Sequence, residues 1–249
     1  VKFALIGAAG YIAPKHMEAI KVLGSELVCA LDPHDSVGVL DSYFPECKFF
    51  TEFERYDRFL ELNRIDYVSI CSPNYMHDAH IRHAISKGCK VICEKPIVIN
   101  MRNAYFGEAS QIHPILQLRY HPELDAFKDA CKGYEGEVYA TMHSPRGCWY
   151  EYSWKGNQEK SGGIEVNIGI HMLDLLTYVF EDRNPVTISL STDMDVKPEK
   201  SIVAGENRID LNCDKNLHID AYRAILAGRG FAEKDALPSI KLAEEMRNG

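Results

Sequence analysis

The chain has 249 residues, 46% of them hydrophobic and 26% charged, proportions that suit a packed globular core and exclude disordered or fibrous classes. Its formal charge of -8 supplies no cationic excess for a phosphate backbone, so nucleic acid is not an expected partner. Eight cysteines are dispersed, with Cys29, Cys71 and Cys93 inside apolar runs as in a reducing cytoplasm, and no apolar run of about 18 residues predicts a membrane span.

The first half alternates strand and helix: "FALIG", "ELVCALD", "CKFF", "DYVSICS" and "KVICEKP" are short apolar strands separated by stretches of helical length. This predicts an α/β domain, a doubly wound parallel sheet of the Rossmann type, over residues 1–118. The turn "GAAGYIA" follows the first strand and opens a helix, the setting a dinucleotide pyrophosphate requires. Gly7 and Gly10 can turn the backbone tightly, but Ala9 and Ile12 stand at the second and third glycines of G-x-G-x-x-G, so a plain strand-turn-helix corner is the alternative. Asp32 ends the second strand about 20 residues later, where a carboxylate accepts from an adenosine ribose and disfavours a ribose phosphate, hence NAD over NADP. Its alternative is a helix cap before Pro33.

The fourth strand ends in "CSPNYMHDAHIRHA", which places Ser72, Asn74 and His77 at the ligand-binding edge of such a sheet. His77, His80 and His83 recur every three residues, a step that drifts around a helix, so no metal site is expected and His80 and His83 read as a polar helix face. In "VICEKPIVI" the charged pair Glu94 and Lys95 interrupts an apolar run before Pro96. Either the strand ends in a surface charge pair, or an ammonium is aimed at a substrate hydroxyl, an aim that a cis Lys95-Pro96 bond would fix.

Beyond "HPILQLR" the pattern changes. A helix near 121–131, the alternating strand "GEVYATMHS", the glycine-opened helix "SGGIEVNIGIHMLDLL", strands at "VTISLSTD" and "SIVAG", and helices near 217–226 and 236–246 predict an α+β domain over 119–249. On residues alone, His171 in the glycine-opened helix is as readily a core histidine as a reactive one.

These motifs, in this order, resemble the glucose-fructose oxidoreductase and inositol dehydrogenase (Gfo/Idh/MocA) family, most closely its WlbA/WbpB-type branch. The resemblance rests on "EKP" with "GG...N.GIH..D", and on "GAAGYIAPKHM", "DSVG", "VSICSPNYMH", "ILQLRYH", "RGCWYEYSWKG" and "ILAGRGF". It implies a second domain with an open, mostly antiparallel sheet that pairs subunits into a homodimer or homotetramer in the cytoplasm. It implies NAD as cofactor and oxidation of the 3-hydroxyl of UDP-N-acetylglucosaminuronic acid for surface polysaccharide. Lys95 and His171 would be catalytic, with His171 the base. Gly7, Ala9, Gly10, Tyr11, Ile12, Asp32, Ser36, Ser72, Pro73, Asn74, His77, Glu94, Lys95, Gln117 and Trp154 would hold the cofactor. Arg119, Arg146, Lys155, Asn167, His171 and Tyr222 would meet the substrate, with Arg229 a further cation for its anionic groups. Asn167 departs from the aspartate many members carry, and the span 188–216 is shorter than the family's usual run of strands. A free sugar or polyol as substrate, or a sensor without catalysis, are the alternatives.

Overall fold

The computed structural model describes residues 1–35, 38–104, 111–180, 185–213 and 215–248. Its first layer is built from β1 (Lys2–Ile6), α1 (Ala13–Val22), β2 (Glu26–Leu31), α2 (Gly38–Tyr43), β3 (Lys48–Phe50), α3 (Phe53–Leu62), β4 (Tyr67–Ile70), α4 (His77–Ser86), β5 (Lys90–Cys93) and β6 (Ile112–Pro114). The six strands are parallel in the order β3-β2-β1-β4-β5-β6, the doubly wound order in which β1 and β4 meet at the centre. Central strands covered on both faces need apolar residues at successive positions. Phe3, Ala4, Leu5 and Ile6, and Val91, Ile92 and Cys93, supply them, and all are buried.

The second layer contains α5 (Leu124–Ala130), β7 (Val138–His143), two short helices α6 (Trp149–Tyr152) and α7 (Gln158–Ser161), a π-helical turn at Glu165–Gly169, and α8 (Ile170–Val179). Strands β8 (Val186–Ser191), β9 (Glu199–Ala204) and β10 (Asn207–Asp210) complete a sheet of order β10-β9-β7-β8. Two of its pairings are antiparallel and β7-β8 is parallel, with the α6 to α8 segment as the crossover. Strand β10 has no counterpart in the sequence reading: of its four residues only Ile209 is buried, so it shows little apolar pattern and owes its state to pairing with β9.

The chain then returns to the first layer. Helix α9 (Leu217–Leu226) packs on α1, and its Ala221, Tyr222 and Ile225 share a core with Phe3, Leu5, Met17 and Ile20. Helix α10 (Glu233–Asn248) begins three residues before the expected start and packs on α8, with Ala236, Ile240 and Ala243 in one core with Val166, Leu173 and the strands β4 and β5. Residues near the C-terminus therefore contribute side chains beneath the carboxyl edge of the first sheet. Among the described residues no helix is long and apolar enough to cross a membrane.

Candidate active site

Strand β1 delivers Gly7 into a tight turn at φ +88°, and a Cβ there would lie 2.6 Å from the Cys71 carbonyl carbon and 2.7 Å from the Ser72 nitrogen. Only glycine lets the first turn and the β4 turn meet so closely. Ala9 donates its N–H to Asp32 Oδ2 at 2.9 Å, and Asp32 Oδ1 accepts from His34 N at 2.9 Å, so the buried carboxylate ties the end of β2 to the glycine turn. The N–H groups of Tyr11 and Ile12, just ahead of α1, have no partner among the described residues, and Tyr11 projects into solvent. Together with a positively polarised helix start they fit a pyrophosphate. Gln117 adds a buried Oε1 without a partner, the state of a group that waits for a donor. Ser36 lies outside the described residues.

Lys95 leaves the end of β5 half-buried, joined to Pro96 by a cis bond, and its Nζ donates to the Asn167 carbonyl at 3.3 Å. That carbonyl belongs to the π-helical turn, whose widened ring the sequence did not announce and which recurs at functional sites. Gly162 at φ +86° precedes the turn, and a Cβ on it would meet the Val166 side chain at 2.6 Å. The Asn167 amide is held on two sides, its Oδ1 accepting from Asn74 Nδ2 at 3.3 Å and its Nδ2 donating to the Tyr150 hydroxyl at 2.8 Å. Asn74 Nδ2 also donates to the Ser161 carbonyl at 2.9 Å. Asn167 thus clamps the two layers together beside Lys95, which is a sufficient role for an amide where a carboxylate would add charge.

His171, four residues beyond Asn167, is half-buried, and no hydrogen bond to its ring is present among the described residues. Burial and the nearby Lys95 ammonium hold the imidazole well below the usual histidine range. Burial also lowers Lys95, while the adjacent Glu94 carboxylate opposes that and Lys155, Arg146 and Lys200 reinforce it. Two neighbouring groups that repel each other's charge divide into a protonated donor and a neutral acceptor. Lys155 lies over Trp154 and Trp149, 5.6 and 5.5 Å from the ring centroids, and burial lowers its pKa. None of Arg146, Lys155 and Lys200 pairs with a carboxylate among the described residues, so an acidic protein gathers unneutralised cations around Lys95 and His171. Lys200, on β9, carries no motif and escaped sequence reasoning; only the sheet register, which sets it opposite Met142, brings it here.

Several expected site residues are placed elsewhere. His77 is buried, with ring nitrogens 2.8 Å from the Ser72 carbonyl and 2.7 Å from the Pro96 carbonyl, and so staples the β4 turn to the segment after Lys95. Ser72 Oγ is spent on His80 Nδ1 at 2.9 Å, and Pro73 caps the single turn Asn74–Met76. His80 is buried against Phe53 rather than part of a polar face, and burial lowers its pKa to about 4. The Glu94 carboxylate points into the protein, toward His16 and His218. Arg119 makes a two-point ion pair with Asp174, at 2.7 and 3.0 Å, donates to the Asp235 carbonyl and lies against Tyr178 and Phe231. With that carboxylate satisfied and both side chains buried, Arg119 is a joint between layers and not a free cation. Tyr222 is fully buried, its hydroxyl 2.7 Å from both His16 Nδ1 and Ser69 Oγ, because α9 turns it into the first core. Arg229 is exposed at the turn after α9.

Residues 1–105 match the family GFO_IDH_MocA as its NAD-binding Rossmann fold, and residues 135–218 match it as its C-terminal alpha/beta domain. The chain is 29% identical to the D-glucoside 3-dehydrogenase of Escherichia coli (strain K12), over 72% of this chain and 54% of that protein. It is 23% identical to the glucose-6-phosphate 3-dehydrogenase of Bacillus subtilis (strain 168), over 82% of this chain and 62% of that protein. The chain thus spans about half to three-fifths of the length of these curated relatives. Among solved structures it resembles the WlbA (WbpB) dehydrogenase from Thermus thermophilus in complex with NAD and UDP-GlcNAcA, with TM-score 0.89, 34% identity, and 99% and 94% of the two chains covered. The myo-inositol 2-dehydrogenase from Lactobacillus plantarum shares the fold at TM-score 0.82 and 16% identity, over 100% of this chain and 96% of that chain.

Proposed function

The chain belongs to the Gfo/Idh/MocA oxidoreductase family, and on that premise we propose that it is an NAD-dependent dehydrogenase of the 3-hydroxyl of UDP-N-acetylglucosaminuronic acid, in the biosynthesis of surface polysaccharide sugars. The observation that carries the substrate class is the cluster of Arg146, Lys155 and Lys200 around Lys95 and His171. Unpaired, partly desolvated cations are costly in an acidic protein unless a polyanion completes them, and a nucleoside diphosphate uronate is one. The relative solved with UDP-GlcNAcA agrees with that class, and two curated relatives carry names that put oxidation at carbon 3 of a hexose.

In this reading the Lys95 ammonium donates to the substrate hydroxyl oxygen while a neutral ring nitrogen of His171 removes its proton. NAD, when bound, supplies the acceptor for the hydride that leaves the same carbon. Asn167, Asn74 and Tyr150 fix the turn that leads into α8 and so His171 relative to Lys95, and the Gly7 turn with Asp32 positions the cofactor end.

A single-turnover experiment tests the reading. Protein loaded with NAD is mixed with UDP-N-acetylglucosaminuronic acid and the near-ultraviolet band of reduced nicotinamide is followed. A rise that disappears in Lys95→Ala supports the proposed substrate. A rise only with glucose 6-phosphate or a D-glucoside would replace the nucleotide sugar with a free or phosphorylated one. No rise with any of them, in protein shown to bind NAD, would favour a sensor.

A further inference from the structure

Beneath the carboxyl edge of the first sheet runs a continuous chain of buried polar groups. Ser69 on β4 is 2.7 Å from the Tyr222 hydroxyl, which is 2.7 Å from His16 Nδ1, and His16 Nε2 is 2.9 Å from Glu94 Oε1. The same Glu94 oxygen is 2.8 Å from His218 Nε2, while its other oxygen accepts the Lys95 backbone N–H at 3.2 Å. All five side chains are buried. The donors and acceptors balance without a charged imidazole: Ser69 donates to Tyr222, Tyr222 to His16 Nδ1, and the two Nε2–H groups donate to Glu94. The negative charge of the chain then rests on Glu94, one residue from Lys95.

We propose that this network fixes Glu94 as the counter-charge of the Lys95 ammonium, which makes His16 and His218 positioning residues for the reactive lysine. Lys95 needs such support, because among the described residues the other charged side chains that act on it are cations, Arg146 and Lys155 beyond β7 and Lys200 on β9, while His171 on α8 and His77 on α4 are imidazoles that burial holds neutral. Glu94 faces His16 from α1, His218 and Tyr222 from α9, and the thiols of Cys71 and Cys93, which burial keeps neutral. Burial pushes the Glu94 carboxyl up, and the two imidazole hydrogen bonds outweigh it, leaving the group well below the usual carboxylate range. The three ligand atoms also lie within 4.8 Å of one another, a spacing a cation could use. A cation there would break both imidazole hydrogen bonds and sit beside Lys95 and its cationic neighbours, so the hydrogen-bonded arrangement is favoured.

The proposal rests on Lys95 being the reactive lysine of the dehydrogenase, but its test needs no turnover. The full chain, without substrate, is trace-labelled with acetic anhydride across a pH series, and the acetylation of Lys95 is followed by peptide mass spectrometry. Glu94→Gln lowers the pH of half-maximal labelling by about one unit or more, the scale of losing an opposite charge at close range, and His218→Met, which frees one side of the carboxylate, lowers it in the same direction by a smaller amount. His218→Gln, which keeps an N–H donor at that end of the side chain, stays within roughly 0.3 unit of the native protein. Unchanged midpoints in Glu94→Gln and His218→Met, or equal shifts in His218→Gln and His218→Met, would overturn the proposal. So would stoichiometric binding of Co2+ with a visible band that His218→Met abolishes. Should His218→Met fail to fold, Glu94→Gln decides alone. Absence of dehydrogenase activity with the predicted labelling shifts present would sink the proposed function and leave the network intact.

Discussion

Arg119 and Asp174 form a buried ion pair whose loss is costly. Their side chains are 5% and 7% exposed, two hydrogen bonds of 2.7 and 3.0 Å join them, and Tyr178 and Phe231 flank the guanidinium at 4.4 and 4.7 Å. Removing one partner leaves the other buried and uncompensated, which costs about 3–5 kcal/mol. Asp174→Leu and Arg119→Met should each fall in that range, since either change strands a charge. The double variant strands none and should lie within about 2 kcal/mol of the native protein, the remainder being the lost contacts of Arg119 with the rings and the Asp235 carbonyl. The assay is equilibrium urea unfolding at neutral pH. With a slope of roughly 3 kcal/mol per molar, each single variant moves the midpoint down by about 1 M or more. A coupling energy under about 0.5 kcal/mol from the double-mutant cycle, or single-variant costs under about 1 kcal/mol, would refute the reasoning. Such a result would restore Arg119 as a cation available to substrate.

Gly7→Ala should destabilise the protein by about 2–4 kcal/mol, because it combines a left-handed backbone with a Cβ 2.6 Å from the Cys71 carbonyl carbon; urea unfolding and a calorimetric NAD titration would check the cost and an accompanying loss of affinity. Arg146→Ala, Lys155→Ala and Lys200→Ala should each weaken binding of UDP-N-acetylglucosaminuronic acid roughly tenfold at low ionic strength, and less in salt. Unchanged affinity in all three would remove the basis of the substrate assignment. Because His171, the proposed base, is held below the ordinary histidine value, the proposed oxidation should stay on its plateau as pH falls through about 6.5 and decline only further down; an acid limb centred at or above that value would contradict this. His80 gives a stability prediction of definite sign. Its folded pKa of about 4 lies below the unfolded value of 6.5, so the unfolded chain binds more protons between them, and stability complete above 6.5 is lost as pH falls toward 4. The contribution is on the order of 3 kcal/mol, and His80→Asn should show a correspondingly shallower acid loss in urea melts.

The sequence by itself determined the elements whose signals are local. Continuous apolar runs mark buried parallel strands, glycine marks the turn after β1, and charged residues just past β2 and β5 mark the carboxyl edge of the sheet. Gly7, Asp32, Lys95 and the glycine-opened run to His171 are legible for that reason, and the order of motifs gave the family. The tertiary structure alone decided which polar groups are already spent. Nothing near Arg119 in the chain reveals Asp174 55 residues on, and nothing near Glu94 reveals His16 and His218, which are 78 and 124 residues away. Tyr222 looked like a cleft residue because a polar aromatic on a helix has no fixed side until the helix is packed; it is bonded across 206 residues to His16. Lys200 entered the site in the same way, through the register of β9 on β7. Local pattern follows from the geometry of one element, whereas the partner of a buried charge follows from how elements stack, and only the folded chain brings those groups within hydrogen-bonding distance.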